Sequence, residues 1–176
     1  MHNIEITIRD YREDDASSVG RLIADTFGEF NLAYASSQER VLLLGPFQHA
    51  GSQEPAHQAA IAEAIEADMV FVAEDGGEIV GVLRGRQDKL QSLFVREDHH
   101  RQGIGRALVA HFERACLRQE ATIIKVQATL FAVPFYQSVG YKKTTGVRSC
   151  QIFEGGHFPY QPMKKVLKDA QGISEL

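Results

Sequence analysis

Cys116 and Cys150 are the sequence's full supply of thiol. They stand at unrelated spacing in a chain of 176 residues, too large to need a staple, so a disulfide framework is excluded and a reducing, cytoplasmic setting is expected. No apolar run approaches the roughly 20 residues that span a bilayer. Met1-His2-Asn3-Ile4-Glu5 has neither the basic start nor the apolar stretch of a signal peptide. Neither a membrane nor export is expected. Basic charge is scarce as well: 19 Lys and Arg stand against 23 Asp and Glu, a net charge of −4, with the cations scattered. A nucleic-acid partner is therefore not expected, and small molecules are. Internal repeats and low-complexity segments are missing too.

What remains is ordinary globular protein, 44% apolar and 24% charged, at the length of one domain spanning residues 1–176. Ile4, Ile6 and Ile8 alternate with polar residues, the period of a strand with one buried face. Asp14 and Asp15 can accept from the orphan amides of a following helix, along which Val19, Leu22, Ile23 and Phe27 recur on one face. Tyr34 to Leu44 reads as a second helix ended by Gly45-Pro46, and Ala56 to Asp68, free of breakers, as a third. Met69–Ala73 and Ile79–Leu83 form a hairpin around Asp75-Gly76-Gly77-Glu78, and Leu90 to Val95 extends it to an antiparallel meander.

The next unit differs. Ile104, Leu108, Phe112 and Ala115 line one face of a long helix, and Ile123 to Val126 return as a strand. Such a strand-helix-strand crossover leaves its strands parallel and sets the helix N-terminus at the C-terminal end of Leu90–Val95. Pro134 suits the first position of a short helix, Gly140 its C-terminal cap, and Tyr141 the start of another strand.

Gly103 and Gly105 open the long helix. Without side chains there, consecutive amides approach an anion closely, and the helix macrodipole places about half a positive charge at the same spot. The glycines alone would equally serve a turn and close helix packing. Their place between a strand and an amphipathic helix favours an anion cradle. A Walker loop needs Lys then Ser or Thr where Arg106 follows Gly105, and the dinucleotide fingerprint needs a small residue at Leu108.

His100-Arg101-Gln102-Gly103-Ile104-Gly105 resembles the cofactor motif of the GNAT superfamily of acyl-CoA N-acyltransferases, Gln/Arg-x-x-Gly-x-Gly/Ala, with His100 departing at the first position. Ala132, Phe135, Tyr136, Gly140 and Tyr141 match that family's second pattern, Ala-x-x-Phe-Tyr-x-x-x-Gly-Phe/Tyr. As a pattern of elements the resemblance covers roughly Ile4 to Leu167, but its specific residues lie between Leu90 and Tyr141. It implies an α+β fold: a mixed, mostly antiparallel central sheet, one parallel strand pair splayed at the cofactor site, and helices on both faces. It further implies that the amides of Gln102, Gly103, Ile104, Gly105 and Arg106 bind the pyrophosphate of acetyl-CoA. Leu93 and Val95 would offer backbone groups to the acetyl carbonyl and pantetheine arm. Many members carry Asn after the fifth strand; Gln127 and Thr129 stand here, with Thr129 the candidate polar contact.

Acyl transfer from a thioester expels a thiolate, and a positioned phenol can protonate it, which makes Tyr136 the candidate general acid. A neutral amine would attack the thioester directly, with the oxyanion stabilised by an amide near Val95. Cys116 and Cys150 are expected away from the acetyl position, as structural thiols. Glu74 fits a solvated strand end better than a general base. His99 and His100 lack a third ligand at metal spacing and fit a solvated loop, so no metal is expected. The acceptor, a primary amine of a small molecule or peptide, should sit near Glu29 to Leu44 and the turn-rich stretch Gly155 to Pro162. That stretch either lines the pocket or packs on a second copy in a homodimer. The alternative to an enzyme is a non-catalytic acyl-CoA-binding sensor or structural domain.

Overall fold

The computed structural model describes residues 5–153 and 157–167; Ile4, Gly155 and Gly156 lie outside them. Strand β1 (Ile6–Asp10) pairs antiparallel with β2 (Met69–Asp75), which runs on through β3 (Glu78–Arg86) and β4 (Lys89–Val95) as the expected meander. Helix α4 (Ile104–Arg118) crosses over to β5 (Ile123–Thr129), and the hydrogen-bonded order is β1-β2-β3-β4-β5-β8-β6, with β6 at Lys142–Lys143 and β8 at His157–Val166. Strand β7 (Arg148–Gln151) pairs with β8 off that path. β4 and β5 are parallel and in register only at Lys89 with Lys125 and Leu90 with Val126, after which they separate. Every other pairing is antiparallel, so the fold is the mixed α+β sheet with one splayed parallel pair.

Apolar residues on both sides of the strands bury both faces of the sheet. Ala73, Leu83, Leu90, Ile124 and Val126 pack with Ile104, Leu108 and Phe112, which share one face of α4. Val72 and Val82 point the other way, against Val19 and Ile23 of α1 (Ala16–Thr26) and Ile61 and Ile65 of α3 (Pro55–Ile65). Full burial of side chains this size stabilises by roughly 1.5–3 kcal/mol each, which fixes α4 on one face and α1 and α3 on the other.

Three local expectations are corrected. Asp15 does not cap α1; its carboxylate accepts from the Arg12 amide at 2.7 Å and from Arg9. The helix expected from Tyr34 begins at Ser37 as α2 (Ser37–Leu44), because Ser36 and Glu39 form a reciprocal capping box there. The turn-rich stretch is, from His157 onward, strand β8, and Phe153 before it turns at φ 49°. Pro162 is tolerated in β8 because its nitrogen and carbonyl face the side where β6 has ended; the carbonyl accepts from the Thr144 amide at 3.1 Å.

Candidate functional site

Gly103 precedes α4 at φ 82°, a left-handed conformation that side chains disfavour, and its carbonyl accepts the first helical bond from Ala107 at 2.9 Å. No side chain caps this helix. Among the described residues, the amides of Gln102, Gly103, Ile104, Gly105 and Arg106 are thus left without a protein acceptor. At Gly105 the missing side chain makes room for an aromatic ring: a Cβ there would meet Phe135 at 3.2 Å. The loop is held from both ends. The Gln102 side chain donates to the Asp98 carbonyl at 3.0 Å, and Arg106 reaches the Ser138 carbonyl, at the end of α5 (Val133–Ser138), at 3.4 Å.

Successive residues of a strand turn their backbone groups to opposite edges. The Arg96 amide donates to the Val80 carbonyl at 2.8 Å, so Val95 and Leu93 turn theirs away from β3, toward the gap where β5 has separated. His100 Nε2 donates to the Val95 carbonyl at 2.6 Å. Because a carbonyl only accepts, that bond puts the proton on Nε2 and leaves Nδ1 of the neutral ring a lone pair. The histidines are therefore not solvated as expected. His99 is buried with Nδ1 2.6 Å from Asp98 and Nε2 3.1 Å from Asp75, tying the loop to the β2–β3 hairpin.

A cavity of about 1130 Å³ opens at the splay. Leu93, Val95, Gly103, Ile104, Gly105, Arg106, Thr129 and Tyr136 all line it; Gln102 lies off its wall. Tyr136 is 5% exposed, and burial alone pushes its phenol well above the ordinary range, so it stays protonated at neutral pH. Thr129 Oγ1 and Ser92 Oγ are buried without a hydrogen-bond partner among the described residues. An orphaned hydroxyl costs about 1–3 kcal/mol, and these two stand on opposite banks of the splay, as a site for a polar arm would arrange them. Sequence reasoning missed Ser92, whose signal is a small polar residue between Leu90 and Phe94 on the strand before the glycine loop.

The cavity continues among Phe27, Phe47, Phe94, Ile152 and Phe158. Phe27 comes from a π-helical turn, Phe27–Asn31, that extends α1. Of the expected acceptor region Glu29 to Leu44, only Phe30 and Asn31 reach the wall, Phe30 stacking on Phe131 at 5.5 Å and meeting His100 at a tilt at 5.0 Å. Leu32 and Leu43 instead form a small core with Phe158. Cys150 also lines the cavity, its thiol pushed up by burial. Cys116 is fully buried in α4, with its thiol pushed up to about 12 by the same cause.

A separate polar depression of about 1050 Å³ lies between α1 and the β2–β3 hairpin, walled by Asp15, Asp25, Glu29 and Glu74 with Arg21 and Arg96. Glu74 accepts from Arg9 at 2.6 Å, and that bond holds its carboxyl below the ordinary range, a poor proton acceptor. Among the described residues no group of three metal-ligating side chains occurs, and no helix is long and apolar enough to cross a membrane.

The profile described as Acetyltransferase (GNAT) domain matches residues 35–167. The chain is 32% identical over 87 residues to "N-acetyltransferase family 8 member 3" of Rattus norvegicus, a match covering 42% of this chain and 38% of that relative's length. Its fold is similar to a GCN5-related N-acetyltransferase from Rhodopseudomonas palustris, with TM-score 0.76, 21% identity, and coverage of 95% of this chain and 99% of that one. It is similar also to PaiA N-acetyltransferase from Thermoplasma acidophilum in complex with coenzyme A, with TM-score 0.67, 12% identity, and coverage of 93% and 100%. A bare-amide helix mouth, a splayed parallel pair and a profile match over most of the sequence agree: this chain belongs to the GNAT family of acetyltransferases.

Proposed function

We propose that the chain, as one domain, transfers an acetyl group from acetyl-CoA to a primary amine of a small molecule or peptide by direct attack. One observation carries this: the unpartnered amides at the mouth of α4 open onto the same cavity as the splayed edge of β4 and the buried phenol of Tyr136.

Acetyl-CoA supplies the activated acetyl thioester. In this reading the amides of Gln102, Gly103, Ile104, Gly105 and Arg106 hold its pyrophosphate, aided by the positive end of the helix dipole. Leu93 and Val95 present backbone groups to the pantetheine arm and the acetyl carbonyl, the Val95 amide meeting the oxygen where charge develops. The Thr129 hydroxyl gains the partner it lacks among the described residues. Tyr136, kept protonated by burial, donates its proton to the leaving sulfur and is restored by the second proton that the amine nitrogen loses as the amide forms. His100 takes the proton from the acceptor ammonium: its Nε2 is committed to Val95, so Nδ1 is the free base, and the cavity wall holds no carboxylate among the described residues.

Calorimetry with CoA and acetyl-CoA, followed by thiol release in the presence of primary amines, tests the proposal. Binding with amine-dependent thiol release is expected. Binding without release for any amine would favour a non-catalytic acyl-CoA sensor, and no binding would defeat both.

A further inference from the structure

We propose that the acetyl acceptor is a primary amine whose body is an apolar, ring-sized group seated against the wall that Phe27, Phe94 and Phe158 form; the inference rests on the acyltransferase reading above. The strand itself carries the cavity from one face of the sheet to the other. Leu93 and Val95 pack toward α4, whereas Phe94, between them, packs toward α1. The cavity therefore passes through the splay and continues on the far face, where Phe27 meets Phe94 edge-on at 5.9 Å and Phe158 at 5.6 Å. At about 1130 Å³ it lies near the upper end of single-ligand sites, leaving room beyond a cofactor arm for a second molecule.

The chemistry of the far wall selects among amines. It carries no Asp or Glu among the described residues, and the cation present, Arg84, spends its guanidinium on the carbonyls of Ile65 at 2.8 Å and Glu66 at 3.3 Å. A second ammonium, as on a polyamine, would be desolvated there beside a fixed positive charge. A peptide would bury amides against rings that offer them no partner. An aromatic ring loses nothing and gains edge-to-face contacts. Ser92 lies two residues from Phe94 on the same face, and its orphaned Oγ can accept from the amine N–H where the apolar wall gives way to the splay. The acidic depression meets this cavity only at Thr26 and Phe30, so its carboxylates do not face the ring site.

The test compares 2-phenylethylamine, ethylamine, spermidine and a peptide with N-terminal alanine in thiol release from acetyl-CoA. The expected kcat/KM for 2-phenylethylamine is about 100-fold that of ethylamine, with spermidine and the peptide below it. Independently of turnover, calorimetry should detect 2-phenylethylamine binding to the CoA-loaded protein, and Ile152→Glu should abolish it while CoA still binds. Equal rates for ethylamine, or preference for spermidine or the peptide, overturns the inference on the wild-type protein alone. So does undiminished 2-phenylethylamine affinity in a folded Ile152→Glu variant. Failure to bind CoA or acetyl-CoA at all would bring down the acyltransferase reading first; CoA binding with thiol released only by spermidine would bring down this inference alone.

Discussion

The two ends of the cavity are built from different material. The end proposed to take the cofactor uses backbone: amides at the mouth of α4 and the inward-turned groups of Leu93 and Val95, all within one strand-loop-helix unit. The end proposed for the acceptor uses side chains, with Phe27, Phe94, Ile152 and Phe158 gathered from segments far apart in sequence. A backbone site depends on where helices and strands stop, and glycine and strand spacing write that locally. A side-chain site can be rebuilt by single substitutions without disturbing the fold, which is how one scaffold serves many amines.

If the ends divide labour in this way, damage to each should separate turnover, cofactor affinity and acceptor choice. The largest effect is expected from Tyr136→Phe, which should lower kcat about 100-fold while CoA affinity by calorimetry stays unchanged. Equal turnover in the two proteins would remove Tyr136 from the chemistry. Next, Gly103→Ala should weaken CoA binding about 10-fold and cost about 1 kcal/mol of stability in urea denaturation. The new Cβ meets no neighbour, and the penalty comes from φ 82° alone. Thr129→Val should sharpen the contrast further, because it removes an orphaned hydroxyl: the midpoint of thermal unfolding should rise slightly while KM for acetyl-CoA rises a few-fold. A lower midpoint with KM unchanged would mean that the hydroxyl serves only the fold.

The smallest effect concerns the core beneath the cofactor end. The Cys116 thiol is held near 12 in the folded chain, against roughly 8.5 when unfolded. The folded state therefore keeps a proton that the unfolded state releases. Its contribution is fully present below roughly pH 8.5 and fades as the pH climbs toward the folded value. Cys116→Ala should flatten the decline of the urea midpoint between roughly pH 9 and 11, with no change in acetyl transfer at neutral pH.

The cofactor end was legible in sequence for the physical reason just given. Gly103, the apolar face Ile104-Leu108-Phe112 and the return strand at Ile123 announce a crossover with an open helix mouth, and the structure places them so. The meander was equally plain, because Asp75-Gly76-Gly77-Glu78 can only be a tight turn between apolar runs. Gly105 carried a second meaning that spacing does not encode, since its partner Phe135 is distant in sequence. At the other end the secondary structure was less legible, although Phe158 and Tyr160 of the turn-rich stretch do line the cavity. Pro159 and Pro162 suggested a loop, yet β8 runs through both because its ladders fall where proline nitrogens are not required. The bond from His100 to Val95 was hidden for a related reason: nothing in a polar loop reveals which carbonyl will lie beneath it.

The account rests on the amides of Gln102 to Arg106 holding an anion. The most direct measurement follows the backbone amide resonances of the ¹⁵N-labelled protein as CoA is added, with 3′-dephospho-CoA and pantetheine as comparisons. The account predicts that Gly103, Ile104, Gly105 and Arg106 shift most with both nucleotides and hardly at all with pantetheine. Saturable CoA binding that leaves those amides unmoved would contradict it.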